Sequence, residues 1–175
     1  MTTTPHRLFF ALWPDDNVRQ MLKQRIQKQL TKHPAKKVPV HNWHMTLAFL
    51  GNVSAEAKLC AQKQANLLHG PHFTLQLDHF GYFKRARVAW LGCKDVPPEM
   101  VALFEQLNAL LAPCGYASEH QTLIPHMTLL RKANKGLDAL NLEPIEWRIN
   151  DFVLVESQIT DRGSVYKVIN RWSLV

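Results

Sequence analysis

Apolar positions along this chain recur with two periods, one that suits a strand and one that suits a helix. Residues 7–13 (RLFFALW) form an apolar run that reads as a buried strand, and Pro14-Asp15-Asp16 then has the proline-led, acidic character of a helix start. Val18, Leu22, Ile26 and Leu30 follow four apart on one face to about Lys32, with Arg19, Lys23, Gln27 and Lys28 expected outside. Lys32 to Pro39 reads as a basic loop punctuated by prolines. A strand over His44–Leu50 follows and is expected to stop at Gly51-Asn52. Ser54 is a natural N-cap for a second helix to about Leu68. Residues 73–77 (FTLQL) alternate as a strand, and 87–92 (RVAWLG) form another. Pro97-Pro98 opens a third helix through Met100, Leu103, Leu107, Leu110 and Leu111, and Pro113 and Gly115 close it. Further strands are expected over 124–131, 149–158 and 165–174.

Strands come in pairs separated by helices, with no regular βαβ alternation and no glycine-rich dinucleotide fingerprint. The expected class is therefore α+β with antiparallel sheets. At 175 residues and 46% hydrophobic content the chain can bury a sizeable core without a metal or disulfide, and one compact domain is the default. Cys60, Cys93 and Cys114 are odd in number and lack C-x-x-C spacing, so neither a disulfide framework nor a zinc finger is expected. A reducing cytoplasm suits that composition. Met1 to Arg7 has no basic-then-apolar leader, and no run approaches the length of a bilayer span.

Charge narrows the partners. Twenty-one Lys and Arg against 14 Asp and Glu give +7, which favours a polyanion such as nucleic acid or a phosphorylated small molecule over an acidic or membrane-embedded role. Candidate lining for an RNA path is Lys32, Lys36, Lys37, Lys84, Arg85 and Arg87, with Tyr82, Phe83 and Trp90 as stacking surfaces. Solvated loop charge is the plainer explanation of the same residues.

The chemistry sits in a repeated tetrapeptide: His44-Met45-Thr46-Leu47 recurs 82 positions later as His126-Met127-Thr128-Leu129. A strand alternates its faces with period two, so each copy presents an imidazole and a hydroxyl on one side and buries Met and Leu on the other. Two histidines on opposite sides of one phosphate could give and take protons there, while Thr46 and Thr128 donate to its oxygens. Imidazole titrates near neutrality, so one ring can serve as base and the other as acid. Strict alternation would put Phe49 and Arg131 on the face away from the histidines, unless a bulge re-aims them. His41 and His44 do not converge on a strand or loop as metal ligands would, and no metal or other cofactor is expected. The other seven histidines, His6, His33, His41, His69, His72, His79 and His120, receive no role.

The wider contexts, Asn42-Trp43-His44-Met45-Thr46-Leu47-Ala48-Phe49-Leu50-Gly51 and Pro125-His126-Met127-Thr128-Leu129-Leu130-Arg131, resemble the two signatures of the two-histidine phosphoesterase superfamily. The chain as a whole, from Arg7-Leu8-Phe9-Phe10-Ala11-Leu12 to Tyr166-Lys167-Val168-Ile169-Asn170-Arg171-Trp172, looks like its RNA 2′,3′-cyclic phosphodiesterase branch, also called 2′,5′-RNA ligases. The resemblance implies a single domain over 1–175 built of two lobes. These are a pseudo-twofold pair of antiparallel sheets with helices outside and a central cleft. It also implies metal-independent hydrolysis of a terminal 2′,3′-cyclic phosphate to a 2′-phosphate, with catalytic His44 and His126 and substrate-binding Thr46, Thr128, Arg131 and Phe49. On that reading His44 is the acid and His126 the base, the partner is RNA or a nucleotide, and the protein is a cytoplasmic monomer. Two alternatives keep the residues in play: action or 2′,5′-ligation on small nucleotides or tRNA halves, and RNA binding without catalysis.

Overall fold

The computed structural model describes residues 6–120, 122–139 and 142–175. The first five residues, part of the stretch expected to lack an export leader, lie outside them. Strand β1 (His6–Leu12) leads into helix α1 (Asp16–Lys32), the short strand β2 (Lys36–Lys37), a 3-10 turn over Val40–Asn42 and the first motif strand β3 (Met45–Val53). Helix α2 (Ala55–Ala65), strands β4 (Phe73–Leu77), β5 (His79–Phe83) and β6 (Val88–Gly92), and helix α3 (Pro98–Leu111) follow. A second 3-10 turn over Ala112–Cys114, the second motif strand β7 (His126–Arg131), β8 (Ile145–Ile149), β9 (Asp151–Thr160) and β10 (Gly163–Ser173) complete the order.

Local chemistry accounts for the helix starts. The Asp15 side chain accepts from the Val18 amide at 2.8 Å, the Ser54 hydroxyl accepts from the Ala57 amide at 3.2 Å, and Pro98 fills the first turn of α3, where an N–H would have no partner. Leu22, Ile26 and Leu30 of α1 are buried as their spacing requires. Arg19, expected outside, is buried with them, because it occupies the same helical phase and its guanidinium lies over Trp13 and donates to the Trp43 carbonyl. Three strands escaped the sequence reading. β2 carries only two exposed lysines, β5 is split by Gly81, and β8 lies just ahead of β9 across Asn150. β3 also runs past Gly51 to Val53, since Gly51 takes a left-handed conformation inside the strand rather than ending it.

The main sheet has the order β10-β9-β1-β3-β7-β6-β5, with β2 added to β7; β4 and β8 form a separate pair. All pairings are antiparallel. Its two halves repeat one unit, strand–helix–motif strand: β1–α1–β3 in one and β6–α3–β7 in the other. Among the described residues the two motif strands meet at a single ladder pair, Met45↔Met127, and β2 of the first half adds Lys36↔Arg131 and Lys37↔Leu130 to β7. One face of this sheet, carrying Leu8, Phe10, Leu12, Met45 and Met127, is fully buried in a core shared with Leu22, Ile26, Met100 and Leu107 of the helices. On the other face Phe9, Ala11, Val153 and Val155 form a smaller cluster with Trp13, Tyr166 and Val168.

Cys60 of α2 and Cys114 after α3 are joined by a disulfide, contrary to the sequence expectation. The two are 54 residues apart with no recognisable spacing, and only the packing of α2 against α3 brings them together. Cys93 is buried and free. No helix among the described residues is long and apolar enough to cross a membrane.

Candidate active site

Both motifs carry the same irregularity at the same place. Along β1 and β3 the ladder passes from Phe10↔Ala48 to Ala11↔Thr46, skipping Leu47; along β6 and β7 it passes from Ala89↔Leu130 to Trp90↔Thr128, skipping Leu129. A bulge of one residue inverts the alternation beyond it. Leu47 and Ala48 are consequently both buried, as are Leu129 and Leu130, and the next side chains, Phe49 and Arg131, emerge on the histidine face.

The six residues expected at the site, His44, Thr46, Phe49, His126, Thr128 and Arg131, all line one cavity of about 870 Å³. Its other walls include the β2 segment, the 3-10 turn ahead of His44 and the tip of the β9–β10 hairpin, which Asn42 fastens by donating to the Ser164 carbonyl at 3.2 Å. Extending the Met45↔Met127 register by one residue sets His44 opposite Thr128 and Thr46 opposite His126. Among the described residues five cationic side chains line the cavity, Arg7, Lys36, Lys37, Arg131 and Arg162, and no carboxylate does. That is a site for an anion. Among the described residues no three His, Cys, Asp or Glu side chains converge as a metal-binding group.

The histidines are held alike. His44 Nδ1 is 2.6 Å from the Asn42 carbonyl and His126 Nδ1 is 2.8 Å from the Ile124 carbonyl, each two residues back. A carbonyl only accepts, so each Nδ1 carries the proton and donates it, and each Nε2 is left to accept or release one. Among the described residues neither Nε2 nor either threonine hydroxyl has a hydrogen-bond partner.

Their surroundings differ. Trp13 stacks on His44 at 5.5 Å between ring centroids and 20° between planes, Phe9 lies at 4.8 Å, and Tyr166 meets it edge-on at 5.4 Å. Behind Trp13 lies Arg19, with its guanidinium 5.0 Å from the indole ring, so guanidinium, indole and imidazole form three successive layers. Burial pushes the His44 pKa down to about 4, and the positive charges of Arg131 and Arg19 act in the same direction. Burial also lowers His126, which packs against Phe83 and Trp90. In both rings burial thus favours the neutral form in the free protein. Sequence reasoning missed Trp13 and Arg19; the one signal was a charged residue in phase with the apolar stripe of its helix.

The remaining basic candidates separate. Lys36 and Lys37 line the cavity, whereas Lys84, Arg85 and Lys32 do not. Arg87 serves the fold, since its guanidinium donates to the carbonyls of Lys132 and Ala133, and Tyr82 donates its hydroxyl to the same Ala133 carbonyl at 2.9 Å. Phe83 borders the cavity; Trp90 lies behind it, buried against His126. Arg7 caps the half-exposed Phe49 ring at 4.9 Å.

Known proteins carry the same architecture. The model of the 2′-5′ RNA ligase superfamily matches residues 13–160. The RNA 2′,3′-cyclic phosphodiesterase of Escherichia coli K12 is 32% identical over 97% of each chain, and that of Thermotoga maritima is 31% identical over 93% of this chain and 92% of its own. The crystal structure of E. coli LigT in apo form superposes with a TM-score of 0.83 at 32% identity, covering 99% of each chain. Its complex with 3′-AMP gives 0.85 over 98% of this chain and 99% of that one. With the family model spanning most of its length and relatives above 30% identity covering nearly all of it, this chain belongs to the 2′-5′ RNA ligase superfamily.

Proposed function

We propose that this protein hydrolyses the terminal 2′,3′-cyclic phosphate of RNA to a 2′-phosphate, using His44 and His126 and no metal. The observation that carries the reading is the pair of equivalent half-sites in one cavity, where among the described residues each Nε2 and each hydroxyl is free and the lining holds cations without a carboxylate. Such a cavity would repel a metal ion and attract a phosphodiester.

In the reaction, His126 Nε2 takes a proton from water as the water oxygen bonds to phosphorus. The bond from phosphorus to the 3′ oxygen breaks, and His44 returns a proton to that oxygen, leaving a 3′-hydroxyl and a 2′-phosphomonoester. Thr46, Thr128 and Arg131 donate to the non-bridging oxygens as charge builds there, and Phe49 offers a stacking face for the terminal base. His44 has to gain its proton against burial. The bound phosphate anion supplies the attraction that makes this possible, so His44 acts as an acid in the complex rather than in the free protein.

Both half-sites lie in one 175-residue chain, which supports a monomeric working unit built as a single domain. An RNA substrate supports a cytoplasmic site of action. A reducing compartment would open the Cys60–Cys114 disulfide to a pair of thiols.

Turnover of a short RNA ending in a 2′,3′-cyclic phosphate, with the product phosphate located by ³¹P NMR, tests the reading. His44→Ala and His126→Ala are each expected to lower kcat at least about a hundredfold with unchanged thermal unfolding. Excess EDTA is expected to leave the wild-type rate intact. Near-full turnover in either folded variant, or a loss in EDTA restored by a divalent metal, would overturn it.

A further inference from the structure

A second groove of about 860 Å³ lies outside the active cavity, between the C-terminal half of α1 and the 135–138 segment that follows β7. We infer that it binds the ribose-phosphate backbone of an RNA substrate on the 5′ side of the reacting end, so that the enzyme's preferred substrate is an oligonucleotide rather than a mononucleotide. This rests on the phosphodiesterase reading above and extends it.

Charge is the first observation. Arg25, Lys28, Lys32 and Lys135 line the groove against one carboxylate, Asp138. Arg25 is paired with Glu143 at 3.2 Å, but among the described residues no ion pair engages Lys28, Lys32 or Lys135. Three exposed ammonium groups around one depression attract successive phosphates.

The second observation is that the groove is built, not merely left between loops. His33 is 5% exposed and joins its two walls: Nδ1 accepts from the Ala35 amide at 3.1 Å, so Nε2 carries the proton and donates to the Lys135 carbonyl at 3.2 Å. The far wall is seated in turn, since a Cβ on Gly136 would lie 3.3 Å from that of Tyr82. Gln29, which also lines the groove, keeps a buried amide oxygen without a partner among the described residues.

Continuity with the active cavity is the third. Lys37 lines that cavity and donates from Nζ to the His33 carbonyl at 2.9 Å, while His33 lines the groove. The two depressions thus share the wall formed by residues 33–37. Two residues, Pro34 and Ala35, separate His33 from Lys36, a span of at most roughly 10 Å. The terminal nucleotide occupies the cavity, and the strand leaves it across Lys36 and Lys37 into the groove.

The test compares a nucleoside 2′,3′-cyclic phosphate with a single-stranded RNA of about ten nucleotides bearing the same end, in wild type and in Lys28→Gln/Lys135→Gln. Wild-type KM is expected to be at least tenfold lower for the oligonucleotide. The double variant should lose about tenfold of that advantage and leave kcat/KM on the mononucleotide unchanged. Removing two phosphate contacts should also flatten the dependence of log KM on log salt by roughly 1.4 for the oligonucleotide. Anisotropy of the same RNA ending in an uncleavable 2′-phosphate reads the groove independently of turnover, with the variant expected to bind about tenfold more weakly. Equal KM for both substrates, or an unaltered salt slope and affinity in the variant, would overturn the groove assignment. Absence of wild-type turnover on both substrates, with groove-dependent binding intact, would instead reject the phosphodiesterase reading.

Discussion

His44 is the residue on which environment acts most strongly. Its imidazole is enclosed by Trp13, Phe9 and Tyr166, and Arg19 places a buried positive charge behind the indole. With both histidine pKa values below 6.5 in the free protein, the acid loses its proton below that pH whichever ring plays the part. The alkaline limb of kcat/KM, which reports free enzyme, should therefore lie below pH 6.5, and the bell should centre on mildly acidic pH. Trp13→Ala admits water to His44 and relieves the desolvation that lowers it, so one limb of the profile should move toward higher pH by about one unit. A pH series on both proteins decides this; an unmoved profile would show that the indole does not govern the ring. That His44 and His126 would meet in one cavity was legible because a motif repeats. Trp13 and Arg19 were not, because their partners His44 and Trp43 lie 24 or more positions along the chain.

Elements explain how the remaining site residues arrive. Period-two reasoning directs Phe49 and Arg131 away from the histidines, and the equivalent bulges at Leu47 and Leu129 turn them back. Bulges are set by pairing with β1 and β6, which a single strand's sequence does not contain. The helices, by contrast, were readable to within a few residues, since capping and periodicity are local. β5 and β6 show a further dependence. A Cβ added to Gly81 would lie 2.0 Å from the Trp90 ring, and Trp90 packs against His126. Gly81→Ala must displace that indole or the strand, so a loss of about 3 kcal/mol in unfolding free energy is expected, with kcat reduced at least tenfold. Denaturant unfolding and turnover at a temperature where the variant is folded would read the two effects. Wild-type stability would show that Trp90 has room that the packing denies.

For the molecule as a whole, the class was legible from the order of elements, and the two-lobed plan from the family resemblance. The disulfide was not, since only tertiary packing places Cys60 beside Cys114. Closing a loop of that length restricts the unfolded chain by up to about 4 kcal/mol on the chain-entropy account. The oxidised protein should therefore unfold several degrees above the reduced one, while turnover at 25 °C is the same in both, because neither cysteine lines the cavity. Thermal scans with and without reductant, checked by mass spectrometry of alkylated thiols, would measure the difference. Equal midpoints would mean that the native state carries strain cancelling the gain.

The single ladder pair between the two motif strands has a mechanical consequence. A full ladder between β3 and β7 would clamp the cleft along its length; Met45↔Met127 joins these two strands at one point, and the other ties across the seam are β2 on β7, α2 on α3 and the Cys60–Cys114 disulfide. Beneath the joint lie two fully buried methionines, whose unbranched thioethers repack at small cost. The phosphorus begins the reaction in a strained five-membered ring and ends it in an open monoester of different shape. The four side chains that face it are fixed chiefly within their own halves, by pairing of β3 with β1 and of β7 with β6, so precision at this site belongs to each half separately.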